Sequence, residues 1–228
     1  MRNEALHGFV LHQRPYRENS RLVTFLSMEA GRVDGVARQQ IPSLYHPILL
    51  FASGRSALKS FSKVETTGMA YTLLGDALFA GFYLNELLVR LLPQQEPMPE
   101  VVLAYGHALQ ALVANEPLIP ILRRFELVLL AELGAGIDFS HDGQGNRIHP
   151  DGVYRYLTGE GFHRTESGDA GQSLLEVTHF LANPEHKASP ACFAMLTRVL
   201  RVALAAHLGD QPLKSRALWA ASRGGAAQ

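Results

Sequence analysis

Apolar and polar positions alternate in short runs through the first 68 residues. In SRLVTFLS (20–27), Leu22, Thr24 and Leu26 alternate with Arg21, Val23 and Phe25, the two-residue period of a half-buried strand. The runs LHGFVLH (6–12), RVDGVAR (32–38), HPILLFAS (46–53) and ALKSFSKVETT (57–67) predict four more strands. The polar turn QRPYREN separates the first two strands. Gly31 ends the second, and Ser53-Gly54-Arg55-Ser56 forms a tight turn before the fifth. Five short strands in so short a stretch suit a small antiparallel barrel. The OB-fold is the commonest five-stranded choice, and an SH3-like barrel fits the strand count nearly as well.

Beyond Gly68 the period changes to that of helices. GDALFAGFYLNELLVRLL (75–92) places Leu78, Phe82, Asn85 and Leu88 at helical spacing, and Pro93 follows its end. VVLAYGHALQALVAN (101–115) and PILRRFELVLLAELGAG (120–136) predict two more helices, the latter with a glycine pair where a left-handed cap is expected. Residues 137–172 are rich in Gly, Asp and His and read as an irregular excursion with a short hairpin, VYRYLTGEGFHR. SLLEVTHFLAN (173–183) predicts a short helix. SPACFAMLTRVLRVALAAHLG (189–209) predicts a longer one, with Ser189 as N-cap, Pro190 in the first turn and Gly209 past the end. The expected fold class is α+β: an N-terminal five-stranded OB-fold β-barrel (1–68) followed by an α-helical domain (69–228).

Composition narrows the class. The chain has 228 residues, 47% hydrophobic and 18% charged, enough apolar material for packed cores and too much for a disordered chain. No window of ~18 uncharged apolar residues suggests a membrane span, and the start shows no apolar segment with a cleavage site. A cytoplasmic globular protein is expected. The single cysteine, Cys192, excludes an internal disulfide and a CxxC-type zinc site. The zero net charge conceals an asymmetry. Residues 1–68 hold nine Lys/Arg against five Asp/Glu, whereas residues 69–160 hold five against eleven. A polyanion would therefore meet the N-terminal third.

Within that third, Arg14, Arg17 and Arg21 surround Tyr16 in and after the first turn. Guanidinium groups pair phosphates and aromatic rings stack bases, a composition suited to single-stranded nucleic acid. The plain alternative is a basic surface turn with Tyr16 as a packing lid. On the fifth strand the two-residue period gives Lys59, Phe61 and Lys63 one shared face, again cation, aromatic, cation. Alternatively, Phe61 packs on the helical domain. In LRRFELVLLAEL, Arg123 and Arg124 flank Phe125 and offer either ordinary pairing with Glu126 or Glu132, or a basic-rimmed apolar groove for an acidic peptide with an aromatic end. His141, Asp142, His149 and His163 lack metal-site spacing, so no metal and no cofactor is expected. No GxSxG, GxxxxGK[ST] or HExxH occurs, and Cys192 in an apolar helix reads as a small hydrophobe.

FVLHQRPYRENS (9–20), GRV (31–33), GFYLNELLVRLL (81–92), LRRFELVLLAELG (122–134) with IDF (137–139), and PLKSR (212–216) together resemble the RecO family of recombination mediators. They span nearly the whole chain in order. The resemblance implies an OB-fold on a helical domain, and no enzymatic step. It further implies annealing of complementary strands, loading of RecA onto SSB-coated DNA, and binding of RecR and the SSB C-terminal tail. Single- and double-stranded DNA, RecR and SSB are thus the expected partners, with RecA engaged indirectly and no membrane. Two departures stand out. Where family members commonly carry a cysteine-rich zinc motif, IDFSHDGQGNRIHPDGVYRY has no cysteine, so a metal-free branch is expected. Where they commonly carry a long basic loop after the third strand, Arg38 is the lone cation. The DNA surface is therefore assigned to Arg14, Tyr16, Arg17, Arg21, Arg32, Arg38, Lys59, Phe61 and Lys63. The SSB-tail site is assigned to Arg123 and Arg124 with Leu133 as apolar floor. The competing reading is a protein-interaction adaptor whose barrel has little DNA affinity, and an enzyme with an unrecognised site is a third.

Overall fold

The structure is a computed structural model that describes residues 3–183 and 187–224. Five strands open the chain: β1 (Glu4–Pro15), β2 (Arg21–Ser27), β3 (Gly31–Ala37), β4 (Pro47–Ser53) and β5 (Lys59–Thr66). They close into a barrel in the order β1-β2-β3-β5-β4, with β4 paired back onto β1. Every pairing is antiparallel except β3–β5. That crossover closure is the OB arrangement, and a simple five-strand meander has no such pair. The two-residue period places Leu6, Val10, Val23, Phe25, Val33, Ile48 and Leu50 inside the barrel, all shielded from solvent. Gly31, at φ +62, lies where a Cβ would collide with the Glu96 carbonyl oxygen, so only glycine suits the start of β3.

Among the described residues six helices follow: α1 (Gly75–Leu91), α2 (Pro99–Val113), α3 (Leu118–Glu132), α4 (Gly171–Ala182), α5 (Pro190–Leu208) and α6 (Lys214–Gly224). Three short strands, β6 (Val153–Leu157), β7 (Gly161–Arg164) and β8 (Asp169–Ala170), lie between α3 and α4. The chain forms two compact units, Met1–Leu118 with Pro212–Gln228, and Ile119–Gln211. The first joins the barrel to α1, α2 and α6.

In the first unit, a register shift between Val10 and His12 bulges β1. Val10 stays in the barrel core while Phe9 packs edge-on against Tyr105 at 5.2 Å. The carbonyl of Leu11, at the bulge, accepts a hydrogen bond from Asn85 Nδ2 (2.9 Å), and Tyr105 donates to Asn85 Oδ1 (2.6 Å). This explains why an amide lies on the apolar stripe of α1: it satisfies a backbone group that the bulge leaves unpaired.

Helix α6 has no counterpart among the predicted elements. Only Leu213, just before it, and Ser215 are buried there, so the hydrophobic period is too thin to read. Its N-terminus is held instead by Glu86, which accepts from Lys214 N (2.9 Å), Ser215 N (2.8 Å) and Ser215 Oγ (2.6 Å). Burial opposes the charge on Glu86, but these bonds outweigh it and hold the carboxyl below its usual range. Trp219 stacks on Phe79 and donates to Asp76 (2.9 Å).

In the second unit the 137–172 excursion is more regular than its composition suggests. β6 pairs with β7 in the expected hairpin and with β8 on its other edge. Phe139, Ile148, Tyr154 and Phe162 are buried. The Asp142 carboxylate accepts from the backbone N–H of Gln144 (3.0 Å) and Asn146 (2.8 Å) and from Asn146 Nδ2 (3.1 Å). This segment is closed by hydrogen bonds around a carboxylate. Among the described residues no group of three or more His, Cys, Asp or Glu side chains is arranged to hold a metal. Its donor set does not fit zinc.

Helix caps follow the sequence signals. Gly134 ends α3 at φ +73, with Ala135 N bonded to the Leu130 carbonyl (2.8 Å). Ser189 Oγ accepts from Cys192 N (3.1 Å). Cys192 is buried, and burial together with Glu176 pushes its thiol up to about 12, consistent with a packing role. α5 is long and apolar enough to cross a membrane by length and composition. It carries Arg198 and Arg201, however, and buries Met195, Leu196, Val199 and Leu200 within its unit.

Candidate nucleic-acid interface

The β1–β2 turn is closed on itself. Tyr16 N donates to the Ser20 carbonyl (2.8 Å), Ser20 Oγ donates back to the Tyr16 carbonyl, and Arg17 adopts a left-handed φ of +53. The short span thereby presents Arg14 and Arg17 to solvent, with the Arg17 guanidinium 5.2 Å from the centre of the Tyr16 ring. Arg21, exposed at the start of β2, donates to Gln13 Oε1 (3.2 Å). Arg38 is exposed just past β3.

The β4–β5 turn faces this cluster. Lys59 Nζ donates to the carbonyls of Ser56 (2.7 Å) and Gly54 (3.4 Å), and Ser56 Oγ donates to the Leu58 carbonyl (2.6 Å). Between the two turns runs a groove of about 770 Å³ lined by Tyr16, Arg17, Arg38, Leu58, Lys59 and smaller polar residues, with Glu18 the one acidic side chain. A second groove of about 350 Å³ adjoins it, bordered by Arg14, His12, Thr24, Asp34 and Gln94. Gln94 Nε2 holds Asp34 at 2.5 Å. The first groove combines the exposed guanidinium groups of Arg17 and Arg38 with a ring and small polar side chains, a chemistry that can track an unpaired polynucleotide.

Four of the nine residues assigned from sequence are placed otherwise than expected. Phe61 is 3% exposed inside the barrel, edge-on to Phe25 at 6.3 Å, and occupies the space that Gly35 leaves by lacking a Cβ. It is a core residue, stacking neither on bases nor on the helices. Lys59 points the same way along the strand and is 5% exposed, its ammonium turned onto its own turn. Lys63 does not share their face. The pairing of β4 with β5 slips between Leu49 and Phe51, Lys63 takes a φ of +49, and its ammonium lies 5.3 Å over the Phe51 ring. Arg32 donates to the Val89 carbonyl on α1, and its own carbonyl accepts from Gln95 N (2.8 Å). It fastens the barrel to that helix. Arg14, Tyr16, Arg17, Arg21 and Arg38 remain together around the β1–β2 turn. Leu58, 40% exposed and lining both grooves, was read as part of the fifth strand and not assigned to the site; β5 begins only at Lys59, which leaves Leu58 in the turn.

In the second unit Arg123 and Glu126 form a buried ion pair at 2.9 Å, with Glu126 fully shielded. The expected surface pairing is therefore an interior one. Arg124 donates to the Phe180 carbonyl (2.8 Å) while its guanidinium lies 4.4 Å over the Phe180 ring, and burial lowers its pKa. Leu133 is half-buried just past the end of α3.

Known proteins give this arrangement its relatives. The family model for the recombination protein O C-terminal region matches residues 75–217, and that for its N-terminal region matches residues 1–43. A DNA repair protein RecO from Pseudomonas entomophila is 41% identical over 219 residues, covering 93% of this chain and 95% of the relative. One from Pseudoalteromonas atlantica is 37% identical over 234 residues, covering 96% and 95%. The matches extend through both compact units, and their agreement with the OB-type barrel and the helices beyond it shows that the chain belongs to the RecO family of DNA repair proteins.

Proposed function

We propose that the chain acts as a recombination mediator without a chemical step. It would bind single- and double-stranded DNA along the groove between the β1–β2 and β4–β5 turns, anneal complementary single strands, and help load RecA on SSB-coated DNA together with RecR. Annealing requires that two polyanions be neutralised and brought together, which cations can do without catalysis. The observation that carries the reading is the cluster of Arg14, Arg17 and Arg38 around Tyr16, exposed on an OB-type barrel in a member of this family. The test is the annealing rate of complementary oligonucleotides, bare and SSB-coated, with and without RecR. Acceleration that falls when Arg14 and Arg17 become alanine supports the proposal, and no acceleration under any condition refutes it.

For the SSB tail, we propose that an acidic peptide ending in Phe binds beside Arg124 and Leu133, with Arg123 holding the helix from within. Arg124→Ala should weaken such a peptide roughly ten-fold, the equivalent of about 1.4 kcal/mol. Unchanged affinity in the folded variant would move the tail site elsewhere. The adaptor reading draws on one observation, that Arg32 and Lys59 already hold backbone carbonyls. It gains if oligonucleotide affinity proves independent of salt.

A further inference from the structure

Tyr16 and Leu58 each line both grooves, so the two cavities share one wall. The wall is built by turns some forty residues apart in sequence, one bringing a ring and the other a branched aliphatic side chain. The grooves on its two sides differ in charge. The larger presents the exposed Arg17 and Arg38 against the single carboxylate of Glu18, with Lys59 in its lining already bonded to carbonyls of its own turn. The smaller carries Arg14 at its edge but contains the Asp34 carboxylate, fixed by Gln94, together with Thr24 and His12. A phosphate is drawn to the first and repelled by Asp34 in the second. The edge of a base, with both donors and acceptors, finds partners in the second. Leu58, which lines both, is 40% exposed, and its solvation is unfavourable until something apolar covers it.

We propose that Tyr16 and Leu58 form a base-splitting ridge: the sugar–phosphate backbone of a single strand lies in the larger groove, and a base crosses the ridge into the smaller one. The inference rests on the single-strand reading of the site and adds its ligand, an unstacked nucleobase. The ridge would hold neighbouring bases apart with their pairing edges unpaired, a state from which a complementary strand can be accepted. A duplex, whose bases cannot reach over the ridge, would be held through its phosphates alone.

Labelled oligothymidylate and an abasic strand of equal length, titrated into the full chain, test this directly. Wild type should bind the thymidylate more tightly than the abasic strand. Tyr16→Ala should lose about five- to 150-fold on thymidylate. Leu58→Ala, in an exposed turn, should lose roughly five- to ten-fold. In both variants the loss should fall far more on thymidylate than on the abasic strand, so that the wild-type preference for bases collapses, and Tyr16→Phe should retain that preference. If wild type binds both strands equally, or if the alanine variants weaken both strands alike, the ridge is overturned while the phosphate-binding reading stands. Salt-dependent binding to neither strand removes both. Should Tyr16→Ala fail to fold by thermal melting, Leu58→Ala alone decides the matter.

Discussion

Arg14 and Arg17 stand in solvent around a five-residue turn, whereas Arg123 and Arg124 are drawn into the second unit, one against a shielded carboxylate and the other across a phenyl ring. The side chains are the same and the local sequences equally basic. The difference lies in the backbone that carries them. A turn closed by its own hydrogen bonds leaves its side chains no core to join, while adjacent positions on a mostly buried helix must find partners within the protein. Arg123 is engaged by Glu126 within the fold, whereas Arg124 is only half-buried beside Phe180, and adjacency in sequence reveals neither that difference nor the one from the turn arginines.

The sharpest way to break this contrast is to remove one arginine of each kind. Arg123→Ala strips the buried Glu126 of its guanidinium and should destabilise the protein by about 3–5 kcal/mol. Arg17→Ala should change stability by no more than about 0.5 kcal/mol. Thermal or urea unfolding compares them, and equal effects would erase the distinction. Next in size is Asn85→Ala, which removes the side-chain donor to the Leu11 carbonyl and the Asn85 Oδ1 acceptor of Tyr105. A loss of about 2–3 kcal/mol is expected, and a loss below about 0.5 kcal/mol would show that the bulge needs no such support.

A smaller effect concerns the carboxylates that dock α6. Hydrogen bonds from Arg223 and Trp219 lower the pKa of Asp76, and Glu86 is lowered despite its burial. Because both folded values lie below the unfolded ones, their contribution is complete above the unfolded carboxylate range of about 4 and is lost as pH falls through the folded values. The single tryptophan, Trp219, reports on this docking. Its fluorescence should stay level from pH 7 to about 5 and change only below about 4. A transition centred near pH 6 would point to a histidine instead.

The barrel was legible because its strands keep a two-residue period, and the early helices because their apolar stripes are dense. The two places where the pattern failed have physical reasons. The slip between Leu49 and Phe51 ends the alternation that would have put Lys63 beside Lys59. The third residue of that motif, Phe61, lies on the interior face, which a period alone cannot distinguish from the exterior one. α6 docks through Glu86, Asp76 and Trp219, polar and aromatic contacts with no hydrophobic period to detect. The grooves themselves are made by turns far apart in the chain. Arg14, Tyr16 and Arg17 were legible as one local cluster, but their neighbour Leu58 was not.

The central claim is that the exposed arginines of the β1–β2 turn carry the DNA contact. Each phosphate contact adds about 0.7 to the slope of log K against log salt on a single strand. With Lys59 and Arg32 bound to carbonyls, about two to four contacts remain, a wild-type slope of roughly −1.4 to −2.8. Oligonucleotide affinity should be measured across a salt series for wild type and for the Arg14→Ala, Arg17→Ala double variant. The account predicts that the double variant loses about 1.4 from the slope, half or more of the total. A slope that the double variant leaves unchanged, or a wild-type slope demanding more than about six contacts, would contradict it and place the DNA on another surface.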